Sequence, residues 1–225
     1  MSNIILPFRD RQDAGEQLAI AIKPEIEQWQ ANLNHSGRVI VYALPRGGLP
    51  VAKPIAQALY CPLAVIVAKK ITSANNQELA VGAVTACGQV VWSTLSEEES
   101  QSRTWQSRQA VAQQRAQEQL ATLSPHCPTV NPQGAIAILV DDGMATGMTM
   151  AVAILATRAR CPAQIWVVTP VAPVGLEQQL GHWCDRMMIL ATPDPFLSVS
   201  RFYTQFEQVE MSEAIACLMT QSEWL

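Results

Sequence analysis

Short apolar runs that end abruptly in glycine, proline or charge recur along this chain, with helical patterns between them. Arg38 to Leu44, Leu63 to Ala68, Ala135 to Val140, Ala163 to Val168 and Arg186 to Ala191 are such runs. Continuous apolar stretches this short suit strands buried on both faces. Helical patterns follow Pro50 and begin again near Thr149 and near Val174. Strands alternating with helices predict an α/β fold, a mostly parallel twisted sheet with helices on both faces. A chain of 225 residues buries one substantial core, so a single domain over 1–225 with a helical excursion is expected rather than two independent units.

Local signals fill in the rest. From Asp10 onward, Ala14, Leu18, Ile22, Ile26, Trp29 and Leu33 recur at spacings of four and three, the apolar stripe of an amphipathic helix, which Pro24 is expected to break or restart. Pro50 is placed to open the helix after the first strand. The run from Leu63 ends at Lys69 and Lys70 and gives way to a polar loop from Thr72 to Gln77, and Leu79 to Thr85 with Gln89 to Trp92 read as a hairpin around Cys87 and Gly88. Between Ser96 and Leu123 the composition shifts to Glu, Gln, Arg and Ala. Ser96 with Glu99 matches a capping box, so a long, largely exposed helix is expected to start there. A proline-rich piece from Ser124 to Pro132 closes this excursion over 96–132.

Charge and cysteine usage exclude several classes. A net charge of -4 and a pI near 5.4 provide no basic field for a polyanionic backbone, so no nucleic-acid partner is expected. The six cysteines are scattered without a C-x-x-C pair and read as reduced thiols, with no zinc-site spacing. No apolar run approaches the roughly 20 residues of a membrane span, and the first residues lack a signal-peptide pattern. A cytoplasmic location follows as the expectation. His35, His126 and His182 lie apart in polar segments and read as surface histidines.

The chemistry concentrates in Ala137-Ile138-Leu139-Val140-Asp141-Asp142-Gly143-Met144-Ala145-Thr146-Gly147-Met148-Thr149. A buried strand runs into two carboxylates and then a turn of small residues. At the carboxyl end of a parallel strand the chain emerges at the ligand edge of the sheet, so Asp141 and Asp142 project where a substrate sits. Carboxylates there suit ribose hydroxyls. Gly143 and Gly147 permit tight backbone turns, and the amides from Ala145 to Thr149 open a helix whose N-terminus holds a phosphate, with the hydroxyls of Thr146 and Thr149 as further donors. Neutral hydroxyls and a dianion close together describe a ribose 5-phosphate. The side chains of Met144, Met148 and Met150 read as packing.

This stretch resembles the phosphoribosyl pyrophosphate motif of the type I phosphoribosyltransferases: an apolar strand, two acidic residues, then T-G-x-T. Leu44-Pro45-Arg46-Gly47-Gly48 stands after the first strand, as the pyrophosphate loop does in that family. Exposed amides at Gly47 and Gly48 and the Arg46 guanidinium suit a diphosphate, whose oxygens match the guanidinium fork. The resemblance also places a cation of the Lys69–Lys70 pair toward the pyrophosphate, and adjacent strand residues point to opposite faces. Glu78 falls in a segment similar to one in the family and is given a supporting role for its loop.

The resemblance covers most of the chain, including Phe8-Arg9-Asp10-Arg11 and the Phe196 to Phe206 region. It implies transfer of ribose 5-phosphate from phosphoribosyl pyrophosphate to a nitrogenous acceptor such as a nucleobase, with pyrophosphate released and Mg2+ held through pyrophosphate and ribose oxygens. In this scheme Asp141 and Asp142 carry the sugar through the reaction. A hood selects the acceptor; here it is assigned to both termini, including 193–225, with the Glu97 to Leu123 helix. Phe196, Phe202 and Tyr203 are candidates to stack on a base, although aromatic residues at such spacing more often belong to a core. The chain departs from the family between Ser96 and Pro132 and around Ser73, where catalysis is assisted. A protein that binds the donor as a regulator or sensor, without turnover, is therefore the alternative reading. A homodimer is the default assembly.

Overall fold

A computed structural model describes residues 8–32, 37–72, 80–93 and 102–225 of the chain. The elements, in order, are α1 Arg11–Asn32, β1 Val39–Ala43, α2 Gly48–Ala58, β2 Leu63–Val65, β3 Ala68–Thr72, β4 Ala80–Thr85, β5 Val90–Trp92, α3 Arg103–Leu123, β6 Ile136–Val140, α4 Met148–Arg158, β7 Gln164–Val171, α5 Leu176–Leu180, β8 Arg186–Ala191 and α6 Met211–Met219. Five strands make a parallel sheet in the order β2-β1-β6-β7-β8. The expected α/β architecture is present.

Alternation along the strands sends two rows of side chains into two cores. Val39, Val41, Ala43, Ile136, Ile138 and Val140 face Leu18, Ile22 and Ile26 of α1, with Leu49 and Ile55 of α2 and Leu218 of α6. The other row, with Ile40, Tyr42, Ala137, Leu139, Ile165 and Val167, faces Met150, Ala151 and Ile154 of α4 and Leu176 and Leu180 of α5. Helices thus cover both faces of the sheet.

The chain first steps from β1 outward to β2 and later returns as β6 on the other side of β1. Strand order therefore reverses between β1 and β6, and in open α/β sheets the crevice beyond the carboxyl ends at such a switch point takes the ligand. The register places Ala43 opposite Val140, and the Leu44 amide donates to the Val140 carbonyl at 2.8 Å. The two strands end level, so both loops that follow open into one crevice.

Local expectations needed correction in several places. Pro24 lies inside α1, which continues through it. Proline removes one helical hydrogen bond, but Leu18, Ile22 and Ile26, on either side of it, are fully buried, each worth about 1.5–3 kcal/mol. Packing outweighs the lost bond. Gly48, not Pro50, is the first residue of α2. The run from Leu63 to Ala68 is two strands: β2 stays with the parallel sheet, whereas Lys69 and Lys70 lie inside β3, which pairs antiparallel with β4 in a second sheet ordered β3-β4-β5. Val67 turns the chain between them by accepting from the Ala86 amide at 3.0 Å.

The β4–β5 hairpin forms around Cys87 and Gly88. The excursion helix α3 begins at Arg103, with the Ser102 hydroxyl accepting from the Trp105 amide at 3.4 Å. The Ser96–Glu99 capping box lies outside the described residues, as do Glu78, the loop around Ser73 and His35. α3 buries Ala112, Ala116, Gln119 and Leu123 and leaves most of its surface exposed. Among the described residues no helix is long and apolar enough to cross a membrane.

The segment before α1 meets the segment after β8. Phe8 forms an isolated parallel bridge with Tyr203, its amide donating to the Phe202 carbonyl at 2.6 Å and its carbonyl accepting from the Thr204 amide at 2.7 Å. Phe8, Ala14 and Tyr203, with Phe202 and Phe206, form a small core of their own.

Candidate functional site

β6 ends at Val140, and the next two residues stand at the mouth of the crevice. Asp141 and Asp142 are both partly buried, but their surroundings differ. The Asp142 amide donates to Oδ1 of Asp141 at 2.9 Å. Burial, and then the adjacent Asp142 charge, raise the Asp141 carboxyl well above the ordinary carboxylate range, with Lys70 as a partial counterweight. Asp142 is held by an ion pair instead: Nε of Arg11 lies 2.7 Å from its Oδ2, with the two side chains only 12% and 16% exposed. The carbonyl of Asp142 accepts from the Tyr203 hydroxyl at 2.6 Å. Tyr203 holds its proton strongly, first because it is buried and second because of the Asp142 charge.

The turn that follows is built to leave amides unused. The Met144 amide donates to the Val171 carbonyl at 2.9 Å, and the Met144 side chain is buried in the α4–α5 core. This residue anchors the loop. Gly143 packs beneath Val199, with Val171 also close. Ala145 and Thr146 are exposed, and Met148 and Thr149 are half-buried. Gly147 caps α4 with φ of 67°, a left-handed conformation costly for other residues. Among the described residues the amides from Ala145 to Thr149 donate no backbone hydrogen bond, and they face outward from the helix N-terminus. The free amides and the dipole of α4 together suit a phosphate.

Pro45-Arg46-Gly47 lies opposite, between β1 and α2. The Pro45–Arg46 peptide is cis. The Gly48 amide closes back on the Leu44 carbonyl at 3.0 Å, which leaves the Arg46 and Gly47 amides without a backbone partner among the described residues. Gly47 abuts the Asp142 carboxylate, and Gly48 abuts the Val140 carbonyl. The two turns are therefore in contact.

Cations arrive from the second sheet. Lys69 is half-buried and Lys70 exposed. Burial lowers the Lys69 ammonium, and the nearby Arg46 and Arg115 charges lower it further. Lys70 is the cation whose charge reaches Asp141. Among the described residues none of Arg46, Lys69, Lys70 and Arg115 forms an ion pair. Cations without an ion-paired partner, in a chain that is acidic overall, make a receptive place for an anion. Arg115 of α3 was not foreseen from sequence.

The Phe196 to Phe206 segment flanks the crevice. Phe196 and Phe202 stack with centroids 5.7 Å apart, while Tyr203 and Phe206 pack at 4.8 Å. Tyr203 is core rather than an exposed stacking surface. Arg11 and Phe206 also join the site without having been assigned roles. The only sequence signal for Arg11 was its place in Phe8-Arg9-Asp10-Arg11. His126 is half-buried and His182 exposed.

No group of three or more His, Cys, Asp or Glu residues positioned to hold a metal is present among the described residues. What the crevice offers is Asp141 next to an anion-receptive turn. This donor set fits a Mg2+ ion bound chiefly through ligand phosphates, with few carboxylate contacts.

The family described as "Phosphoribosyl transferase domain" matches residues 14–188. The chain is 33% identical, over 217 residues and 94% of its length, to a Mycobacterium tuberculosis protein, known in two strains and provisionally named a phosphoribosyl transferase. The match covers 46% of that protein, so the chain spans about half the length of the curated relatives it matches. The crystal structure of the protein TT1426 from Thermus thermophilus superposes with a TM-score of 0.76 at 28% identity, covering 97% of this chain and 99% of that one.

Proposed function

The chain belongs to the phosphoribosyl transferase domain family, and from that premise we propose that it binds phosphoribosyl pyrophosphate with Mg2+ and transfers the ribose 5-phosphate to a nitrogenous acceptor, releasing pyrophosphate. The observation that carries this reading is the contact between the two turns, with Gly47 against the Asp142 carboxylate. A sugar held by the acidic pair would have its 5-phosphate at the α4 N-terminus and its diphosphate at Arg46 and Gly47. One ligand with phosphates at both ends of a ribose matches that layout.

The division of labour follows from the residues. Asp141 and Asp142 accept hydrogen bonds from the ribose hydroxyls. The amides of Ala145, Thr146, Gly147, Met148 and Thr149 and the two threonine hydroxyls hold the 5-phosphate, on a loop shaped by Gly143 and Met144. Arg46, the free amides of Arg46 and Gly47, and Lys69 and Lys70 take the diphosphate and stabilise its growing charge as it leaves, whereas the Gly48 amide, expected to be exposed, is buried and spent on the Leu44 carbonyl. Mg2+, when bound, neutralises phosphate charge and makes the pyrophosphate a better leaving group. The protein mainly positions the reacting groups and shields them from water. The pairing of Phe8 with the segment after β8 and the Phe196–Phe202 stack support a hood where a planar acceptor, such as a nucleobase, would lie, and the proposal includes a cytoplasmic homodimer.

The test is direct. Purified protein with phosphoribosyl pyrophosphate, magnesium and a panel of nitrogenous bases is expected to release pyrophosphate. Donor binding by calorimetry without pyrophosphate release for any acceptor would favour a sensing role over transfer. Absence of donor binding would refute both.

A further inference from the structure

The Asp142 carboxylate is gripped from outside the crevice. Arg11 approaches it from the first turn of α1, and the guanidinium meets three constraints at once. Nε donates to Asp142 at 2.7 Å, Nη1 donates to the Glu207 carbonyl at 2.7 Å, and the guanidinium carbon sits 3.8 Å above the centre of the Phe206 ring. Phe206 is itself packed on Tyr203, whose hydroxyl holds the Asp142 carbonyl. Side chain and backbone of Asp142 are thus fixed by residues from the start of α1 and from the segment between β8 and α6. Arg11, Tyr203 and Phe206 all lie outside the stretch 14–188 that matches the family.

A nearly buried ion pair is weak evidence for stability, because desolvation offsets most of the attraction. What it does supply is orientation. With Asp141 adjacent, an unrestrained Asp142 carboxylate would be repelled and free to rotate away from Gly47. We propose that Arg11 is a positioning residue of the donor site, holding the Asp142 carboxylate against Gly47 so that it meets the ribose hydroxyls in a single orientation. This rests on the proposed donor-binding function. The planar guanidinium is required, since lysine keeps the charge but cannot satisfy carboxylate, carbonyl and ring together.

Calorimetric titrations with phosphoribosyl pyrophosphate and with inorganic pyrophosphate, each with magnesium, test the role in the unsubstituted protein, Arg11→Met and Arg11→Lys. Arg11→Met is expected to weaken donor binding by about tenfold or more, within the range of coupling between contacting residues. Arg11→Lys recovers part of that loss. Pyrophosphate binding stays within about twofold in both, because its contacts do not run through the Asp142 carboxylate. Unchanged donor affinity in Arg11→Met, or an equal loss for pyrophosphate, overturns the role, the latter marking general collapse of the loops. If Arg11→Met does not fold, Arg11→Lys decides: unsubstituted affinity overturns the role, and a selective loss of donor affinity upholds it. Failure of the unsubstituted protein to bind the donor overturns the proposed function and this role together, whereas the preceding results overturn the role alone.

Discussion

The carboxylate of Asp142 lies on the Cα of Gly47, so that a methyl group at residue 47 would stand 2.6 Å from Cγ of the aspartate. Two loops from different strands share that contact. Glycine is required there for space, since its φ of -58° is open to any residue. Gly47→Ala is expected to displace the carboxylate, destabilise the fold by about 1–3 kcal/mol as overpacking does, and weaken donor binding severalfold. Thermal unfolding and calorimetry with the donor check both effects; unchanged donor affinity would count against a shared site.

Gly147 is constrained differently. Its φ is 67°, and an added Cβ would come 2.7 Å from Cδ1 of Leu180. The leucine tip can shift, but the left-handed backbone cannot be relieved, so Gly147→Ala is expected to cost about 1–2 kcal/mol. Binding of ribose 5-phosphate, followed by calorimetry, should fall with it because the α4 amides are re-aimed.

Asp141 sets a pH dependence. Its folded pKa is raised above the unfolded value, chiefly by burial and then by Asp142. The folded state therefore binds its proton more tightly, and this contribution to stability is fully present below the unfolded pKa and is lost as pH rises through the folded one. Asp141→Asn should remove the loss. At neutral pH the variant is expected to melt about 2–4 °C higher, the shift that about 1 kcal/mol makes in a domain of this size. Its donor binding should nonetheless be weaker. Melting curves from acid to neutral pH that run parallel to the unsubstituted protein's would refute the assignment.

Lys69 should make pyrophosphate binding proton-linked. Burial, with help from Arg46 and Arg115, lowers its pKa, so the free protein sheds that proton at a lower pH than an exposed lysine would. A bound polyanion restores the charged form, and proton uptake should accompany binding under alkaline conditions. Calorimetry in buffers of different ionisation enthalpy measures this uptake, which Lys69→Met should abolish. Added salt should weaken binding throughout.

Much of the fold was legible because its signals are local. The runs at β1, β6 and β7 announce buried strands by their own composition, the similar run at β8 forms a half-exposed edge strand, and Asp141 to Thr149 announces its turn through glycine. A turn of consecutive free amides at a helix start needs no distant partner, so the sequence alone could locate it. The break between β2 and β3 was not legible. Nothing in Leu63 to Ala68 marks Val67 as the point of departure, because the Ala86 amide that pairs there belongs to a hairpin further along the chain. Pro24 misled for a related reason: its local cost is visible in sequence, while the burial that overrides it comes from α2 and the sheet.

By itself the sequence determined the layered α/β arrangement, the acidic pair at a strand end and the amides that follow. Only the tertiary structure decided what the two aspartates become. Arg11 stands 131 residues before Asp142 and Tyr203 stands 61 after it. Chain order places no carboxylate beside a particular guanidinium at such separations. Burial and charge pairing depend on distances in space, and those exist only once the sheet has brought the start of α1 and the segment after β8 over its crevice.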